Sequence, residues 1–266
     1  MARRPSSRVS RKKSLATDFD LRLLRLPGLP EIQLGDDLAG QIAKAARKAC
    51  IPFEKGDILV IAQKIVSKAE GAVVRLATIR PSPQALSLAA RLKKDPRAVE
   101  VVLQQSRRIV RSDHVIIAET RHGFVCANAG VDHSNVPGED VVTLLPRDPD
   151  LSAKKLAAAL RQLTGKRVAV IISDTFGRPW RLGLTDVAIG AFGVPVLDDL
   201  RGTRDRHGKL LTATVLAVAD QLASAAGLLM RKAEGSPAIL IRGYRFKPSS
   251  DPAAIIIRPA AEDLFR

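Results

Sequence analysis

Apolar and polar positions along this chain fall into short runs with two distinct periods. From Phe19 to Leu26 apolar and charged residues alternate, the pattern of a half-buried strand. Asp36 or Asp37 can cap a following helix that carries Leu38, Ile42, Ala45 and Ala49 on one face. Lys44, Arg47 and Lys48 near its end suit the helix dipole. Gly56-Asp57 turns into a strand, ILVIA. Pro81 and Pro83 open a helical region in two pieces, broken near Asp95-Pro96; the second piece, from Val99 to Ser106, leads into Ile109-Val110. Val115 to Ala118 and Phe124 to Ala127 flank Arg121-His122-Gly123, which predicts a hairpin with His122 in its turn. Pro146 to Pro149 reads as a connection between two lobes. Asp150 or Ser152 then caps a helix that points Leu156, Leu160 and Leu163 inward and ends at Gly165. A long helix is predicted from Ala213 to Met230, with Ala223, Ala225, Ala226 and Gly227 small enough for close packing across a dimer. A turn from Arg231 to Pro237 enters a last strand, AILIRG.

The most informative stretch is Val168 to Gly193, VAVIISDTFGRPWRLGLTDVAIGAFG. Its uncharged start predicts a buried strand that ends at Ser173-Asp174-Thr175, with a carboxylate and a hydroxyl where the chain leaves the sheet. Gly177 and Pro179 predict a sharp turn around the only tryptophan, Trp180. Arg178 and Arg181 suit a phosphate or a carboxylate, because guanidinium makes paired, charge-assisted bonds. Asp174 and Thr175 are hard oxygen donors, suited to Mg²⁺ or Mn²⁺ rather than zinc. A strand end with a solvated turn would use the same residues. Upstream, Asn128-Ala129-Gly130-Val131-Asp132-His133-Ser134-Asn135 allows backbone to approach a ligand closely, and Asp132 is a second carboxylate. An Asx turn would also use Asp132; the pairing with Asp174 favours the metal reading, and His133 is left outside an oxygen-rich set. Lys68 is a phosphate partner or a solvated lysine. Asp186 and Asp205 are secondary metal candidates, or else exposed or arginine-paired acids.

Composition narrows the setting. The formal net charge is +16, and six basic residues with no acidic one lie in the first 13 positions. Residues 1–16 read as a disordered basic extension, followed by one domain over 17–266. A nucleic-acid binder would also be basic, but aromatics are only 3% of the residues, few platforms for stacking bases. Small polyanionic substrates fit at least as well. No apolar run approaches the ~18 residues of a membrane span, and no apolar core follows the basic start as in a secretory signal. Cys50 and Cys126 set no metal spacing and no disulfide framework, so a cytoplasmic protein is expected. Neither a Walker sequence nor a GxGxxG after a strand is present, which argues against P-loop and Rossmann sites.

SDTFGRPWRLGLTDVAIG, with NAGVDHSN upstream and ILIRGY downstream, resembles the coenzyme F-420-0:L-glutamate ligase family of deazaflavin coenzyme synthesis, from about Leu24 to about Tyr244. The resemblance implies an α+β fold with a mixed, largely antiparallel sheet and flanking helices, in an intertwined homodimer. For the segment after ILVIA, Gln63 to Gly71, it implies a strand running into a loop. It implies GTP, L-glutamate and the deazaflavin precursor as reactants, with Mg²⁺ or Mn²⁺, two ions in number, and K⁺ as a further ion. GTP would phosphorylate the lactyl carboxylate of the precursor, glutamate's amine would attack the acyl phosphate, and later glutamates would join through gamma linkages. Carried over residue by residue, Asp132, Asp174, Thr175 and Glu234 hold metal. Pro27, Gly28, Leu29, Pro30, Ser67, Lys68, Asn135, Glu234 and Gly235 contact the nucleotide, and Arg178 and Arg181 join Asp132 and Asp174 in the catalytic set. The chain departs from the family at Arg231, where Gly is usual, at Gln221, where an acid is expected, and at Lys232, where an acidic or amide residue belongs and from which Glu234 is displaced by two. Those departures keep open a metal-dependent ligase paralogue with another acceptor or nucleotide.

Overall fold

The computed structural model describes residues 20–133, 140–230 and 235–263. In chain order the elements are β1 (Arg22–Arg25), α1 (Leu38–Lys48), β2 (Ile58–Ala62), α2 (Gln63–Ala69), β3 (Val73–Arg75), α3 (Pro83–Leu92), α4 (Pro96–Gln105), β4 (Ser106–Arg111), β5 (Ile117–Thr120) and β6 (Val125–Ala127). They continue with β7 (Val141–Thr143), α5 (Pro149–Thr164), β8 (Ala169–Arg178), β9 (Arg181–Phe192), β10 (Asp198–Asp199), β11 (Val215–Leu216), α6 (Val218–Gly227) and β12 (Ala238–Arg242). The basic N-terminal extension lies outside the described residues.

The main sheet runs β1-β12-β2-β8-β9. Only β2 and β8 pair in parallel; the other three neighbours are antiparallel. The fold is thus α+β around a mixed five-stranded sheet. β2, β12 and the first half of β8 carry no charge before their last residues and are buried on both faces, as strands covered on both sides must be. On one face α1 and α5 pack Ile42, Leu156 and Leu160 against Leu59, Ile61, Ile172 and Leu240. On the other, α6 packs Leu222, Ala223 and Ala226 against Ile58, Ile171, Ile239 and Ile241. A further core gathers Leu88 of α3, Val99 and Val102 of α4, Ile116 and Ala118 at and before β5, and Val142 of β7.

Several expectations need correction. The segment after ILVIA is a helix, α2, because the chain turns directly from extended Ala62 into helical geometry. The helix expected over Ala213–Met230 is shorter: Val215–Leu216 pairs with Asp198–Asp199, and α6 starts at Val218. Of the small residues on α6, Ala223 and Ala226 are buried in the chain's own core, Gly227 lies against Asp186, and Ala225 is half-buried. α5 is capped by Asp148, whose carboxylate accepts from Leu151 N at 2.9 Å with Pro149 in the first turn. Asp150 instead receives Ala191 N at 2.7 Å and Ala253 N at 3.0 Å. Leu163 is exposed, since the buried row of α5 ends at Leu160. Replacing the cap, Asp148→Ala, is expected to cost about 1 kcal/mol in urea unfolding; Asp150→Ala should leave the helix start intact and loosen β9. Among the described residues no helix is long and apolar enough to cross a membrane.

Candidate active site

The site forms where two neighbouring strands part company. β2 and β8 run in parallel until Ala62 pairs with Ser173. There β2 ends and becomes α2, while β8 continues to Arg178 paired only with β9. The polar residues at Ser173-Asp174-Thr175 therefore mark the end of the neighbouring strand, not of their own, which corrects the expectation that the chain leaves the sheet at Asp174. The space vacated beside β8 is a cavity of about 660 Å³. Its walls are the crossing segment from Leu29 to Ile32, the first turns of α2, the loop from Asn128 to Asp132, residues Ser173 to Thr175 with Asp186, and the turn from Gly235 to Pro237.

Each side chain is placed by a local device. The β8–β9 register slips by one residue between the pairs Ile172–Gly190 and Ser173–Ala188, leaving Ile189 as a bulge. The slip sets Thr175 directly opposite Asp186, and Thr175 Oγ1 donates to Asp186 Oδ1 at 2.6 Å. Asp132 follows three residues in the left-handed region: Asn128 at φ 51°, Ala129 at 52° and Gly130 at 74°. Two of these are not glycine, a costly turn for L residues. At Gly130 a Cβ would sit 2.6 Å from Leu145 Cγ, so glycine is required there. Asp132 is then fixed by paired backbone hydrogen bonds with Thr143.

The electrostatics are unbalanced. Asp174 is pushed up to about 6, mostly by burial. The Thr175 backbone N–H opposes this; Asp132 and Asp186 add like charge, and Lys64 offsets part of it. Lys64 Nζ meets Asp132 Oδ2 at 2.7 Å. Lys68, its ammonium buried, pairs with the exposed Glu31. Burial, then Asp174, pushes the Cys126 thiol up to about 12, so it is no nucleophile at neutral pH.

Of the residues expected at a site, Asp132, Asp174, Thr175, Lys68, Leu29, Pro30 and Gly235 line this one cavity. Pro27 and Gly28 do not; they form an exposed turn, with Gly28 at φ 77°, that carries the chain toward it. Ser67 does not either: it is buried within α2 and its hydroxyl donates to Gln63 Oε1 at 2.7 Å. Arg178 and Arg181 sit exposed at the β8–β9 turn, Arg178 donating to Leu182 O at 2.9 Å. Asp205 accepts the backbone N–H groups of His207 and Lys209, closing its own turn. Asn135, Lys232 and Glu234 lie outside the described residues. Sequence reasoning gave no role to Gln63 and Lys64, which line the cavity. Gln63 is 1% exposed, and its Nε2 has no partner among the described residues. The signal available was spacing: Lys64 and Lys68 are four apart, hence on one face once the segment is helical.

These parts suit an anionic ligand and a hard cation. Among the described residues no three His, Cys, Asp or Glu side chains converge as a metal cage. The donor set is two carboxylates and a hydroxyl, the open oxygen-rich kind that leaves room for phosphate oxygens.

Comparison with known proteins gives a consistent picture. A model of the family described as F420-0:Gamma-glutamyl ligase matches residues 28–243. The Coenzyme F420:L-glutamate ligase of Methanothermobacter thermautotrophicus is 47% identical over 250 residues, covering 92% of this chain and 99% of that protein. The protein of the same description from Methanopyrus kandleri is 50% identical over 254 residues, covering 92% and 98%. That of Methanocaldococcus jannaschii is 46% identical over 217 residues, covering 81% and 86%.

Proposed function

This chain belongs to the F420-0:gamma-glutamyl ligase family of enzymes, and from that premise we propose that it joins L-glutamate to F420-0 in a GTP-dependent, metal-assisted reaction. The observation that carries the reading is the meeting of Asp132, Asp174, Thr175, Lys64 and Lys68 around one cavity. Oxygen donors for a divalent cation and ammonium groups for phosphates are what such a transfer needs.

A free carboxylate resists attack by an amine because oxide is a poor leaving group. Transfer of the GTP γ-phosphoryl group to the lactyl carboxylate oxygen releases GDP and makes an acyl phosphate. The glutamate amine then attacks the acyl carbon, losing a proton, and inorganic phosphate leaves as the amide forms. Asp132, Asp174 and Thr175 would hold Mg²⁺ or Mn²⁺, with Glu234 as a further donor, and the cation would neutralise charge on the phosphates. The like charge around the half-buried Asp174 fits that cation. Lys68 would take a phosphate oxygen in place of Glu31, and Gln63 Nε2 offers an unused donor in the same wall. Lys68→Met is expected to raise the KM for GTP by about 10- to 100-fold, the scale of a hydrogen bond to a charged group, with kcat much less affected.

The decisive experiment is mass spectrometry of a reaction with purified protein, F420-0, L-glutamate, GTP and Mn²⁺. One or more added glutamyl units, GDP release and loss of both on chelation support the reading. Product with ATP but not GTP would overturn the nucleotide assignment and favour the paralogue.

The same reading includes a homodimer. Beyond Ser173 the β8–β9 hairpin leaves the five-stranded sheet as a two-stranded arm. Trp180, Leu182 and Leu184 near its tip are 85%, 99% and 64% exposed. Arg178 and Arg181 ride on that tip, so a second copy is the route by which they would reach a site.

A further inference from the structure

Helix α6 lies along β9, and beside its apolar packing Asp220, Ser224 and Gly227 meet that strand. Asp220 Oδ1 accepts the N–H of Ala188 at 2.9 Å. One turn later Ser224 Oγ donates to the backbone oxygen of Asp186 at 2.7 Å and lies 2.9 Å from Thr185 Oγ1. A turn further on stands Gly227, where a Cβ would lie 2.2 Å from Asp186 Oδ2. Positions 220, 224 and 227 share one helix face. α6 therefore grips β9 beside the bulge, fixes the backbone of Asp186, and closes over its carboxylate with no side chain between.

The Asp186 carboxylate faces Thr175. A hydroxyl has one proton and two lone pairs. At 2.6 Å the Thr175 proton is committed to Asp186 Oδ1, so the oxygen has only lone pairs left for the cavity that both residues line. We propose that Asp186, held by Ser224 and Gly227 of α6, is a positioning residue that orients the Thr175 hydroxyl as an oxygen donor to the divalent cation. This rests on the proposed role of Thr175 as a metal donor. A carboxylate that accepts the proton of a metal-binding group sets its geometry and donor strength without touching the ion.

The test is Mn²⁺ binding to the full chain, read by electron paramagnetic resonance without substrates and therefore independently of turnover. Asp186→Ala is expected to weaken Mn²⁺ by about 10- to 100-fold, the usual effect of losing such a supporting group, and Thr175→Val to do the same. The double variant should be no weaker than Thr175→Val by more than about threefold, since the two act through one oxygen. Asp186→Asn keeps an acceptor oxygen and should bind within about threefold of the parent. Asn as weak as Ala would make Asp186 a direct ligand and overturn the proposal. Gly227→Ala adds a good helix former while displacing the carboxylate; it should lose Mn²⁺ affinity with its thermal midpoint retained, and parental affinity in a folded Gly227→Ala chain would count against the proposal. Parental affinity in Asp186→Ala, with Thr175→Val weakened, overturns this inference alone. No Mn²⁺ binding by the parent, or parental affinity in Thr175→Val, overturns the Thr175 assignment and this inference with it.

Discussion

Asp174→Asn is expected to lower glutamyl transfer by at least about 10³-fold, the scale on which positioned charge acts in phosphoryl transfer, and at the same time to make the metal-free chain more stable near neutral pH. The second effect follows from burial. The Asp174 carboxyl is raised from 3.8 to about 6. A raised group favours the fold fully below its unfolded value, and that contribution is lost as pH rises from 3.8 through about 6. Above about 6 the charged carboxylate then costs up to about 3 kcal/mol, at about 1.4 kcal/mol per pKa unit. Asparagine is nearly isosteric and carries no charge. In chelated buffer the stability gain of the variant over the parent should widen as pH rises from about 4 to about 6 and then stay level. Mn²⁺ should stabilise the parent, with Asp174 ionised, and do little for the variant. Retained turnover would sink the metal assignment. A variant less stable than the parent at about pH 8 would sink the account of Asp174 as a half-buried charge that a cation would offset.

The parts of the fold that depend on local pattern could be read in advance. α1 has its cap at Asp37 and its buried face at Ile42 and Ala45; β2, β12, the Asp95-Pro96 break and the hairpin at Arg121–Gly123 fall where periodicity puts them. The parts that depend on a partner could not. The family resemblance implies nucleotide contacts for both Ser67 and Lys68, neighbours that a loop could present together. In a helix successive side chains diverge by about 100°, so Lys68 reaches the cavity with Lys64 while Ser67 turns into the core. Asp150 reads as a cap in sequence, and only the distant N–H groups of Ala191 and Ala253, which engage its carboxylate, leave the capping to Asp148. The Thr175–Asp186 bond rests on a one-residue bulge at Ile189, which no local pattern announces. The site carboxylates are legible in sequence because Asp174 follows an uncharged strand and Asp132 supplies a second hard oxygen donor to pair with it.

On the proposed homodimer, Leu182→Ser combined with Leu184→Ser is expected to give a monomer. The arm they ride on has β-pairing only between β8 and β9 once β2 has ended, and a lone two-stranded ribbon is marginal in water. Its tip nevertheless holds a defined turn, with Trp180 at φ 61° and 85% exposed. Trp180, Leu182 and Leu184 together give the arm an exposed apolar end, which the proposed homodimer would cover. A second copy is the occupant that makes the arm reciprocal, since in a two-fold dimer each arm meets the other chain. Each leucine buried there is worth about 1.5–3 kcal/mol, and symmetry counts every substitution twice. The four lost side chains thus remove on the order of 6 kcal/mol, a change in Kd of about 10⁴-fold, enough to leave a micromolar solution monomeric by light scattering. The variant should still bind Mn²⁺ through Asp132, Asp174 and Thr175, which belong to one chain. It should lose glutamyl transfer, because Arg178 and Arg181 would no longer be delivered to a neighbouring site. A double variant that keeps the dimer mass would show that the arm is not the interface, and a monomeric variant with full turnover would remove both arginines from the catalytic set.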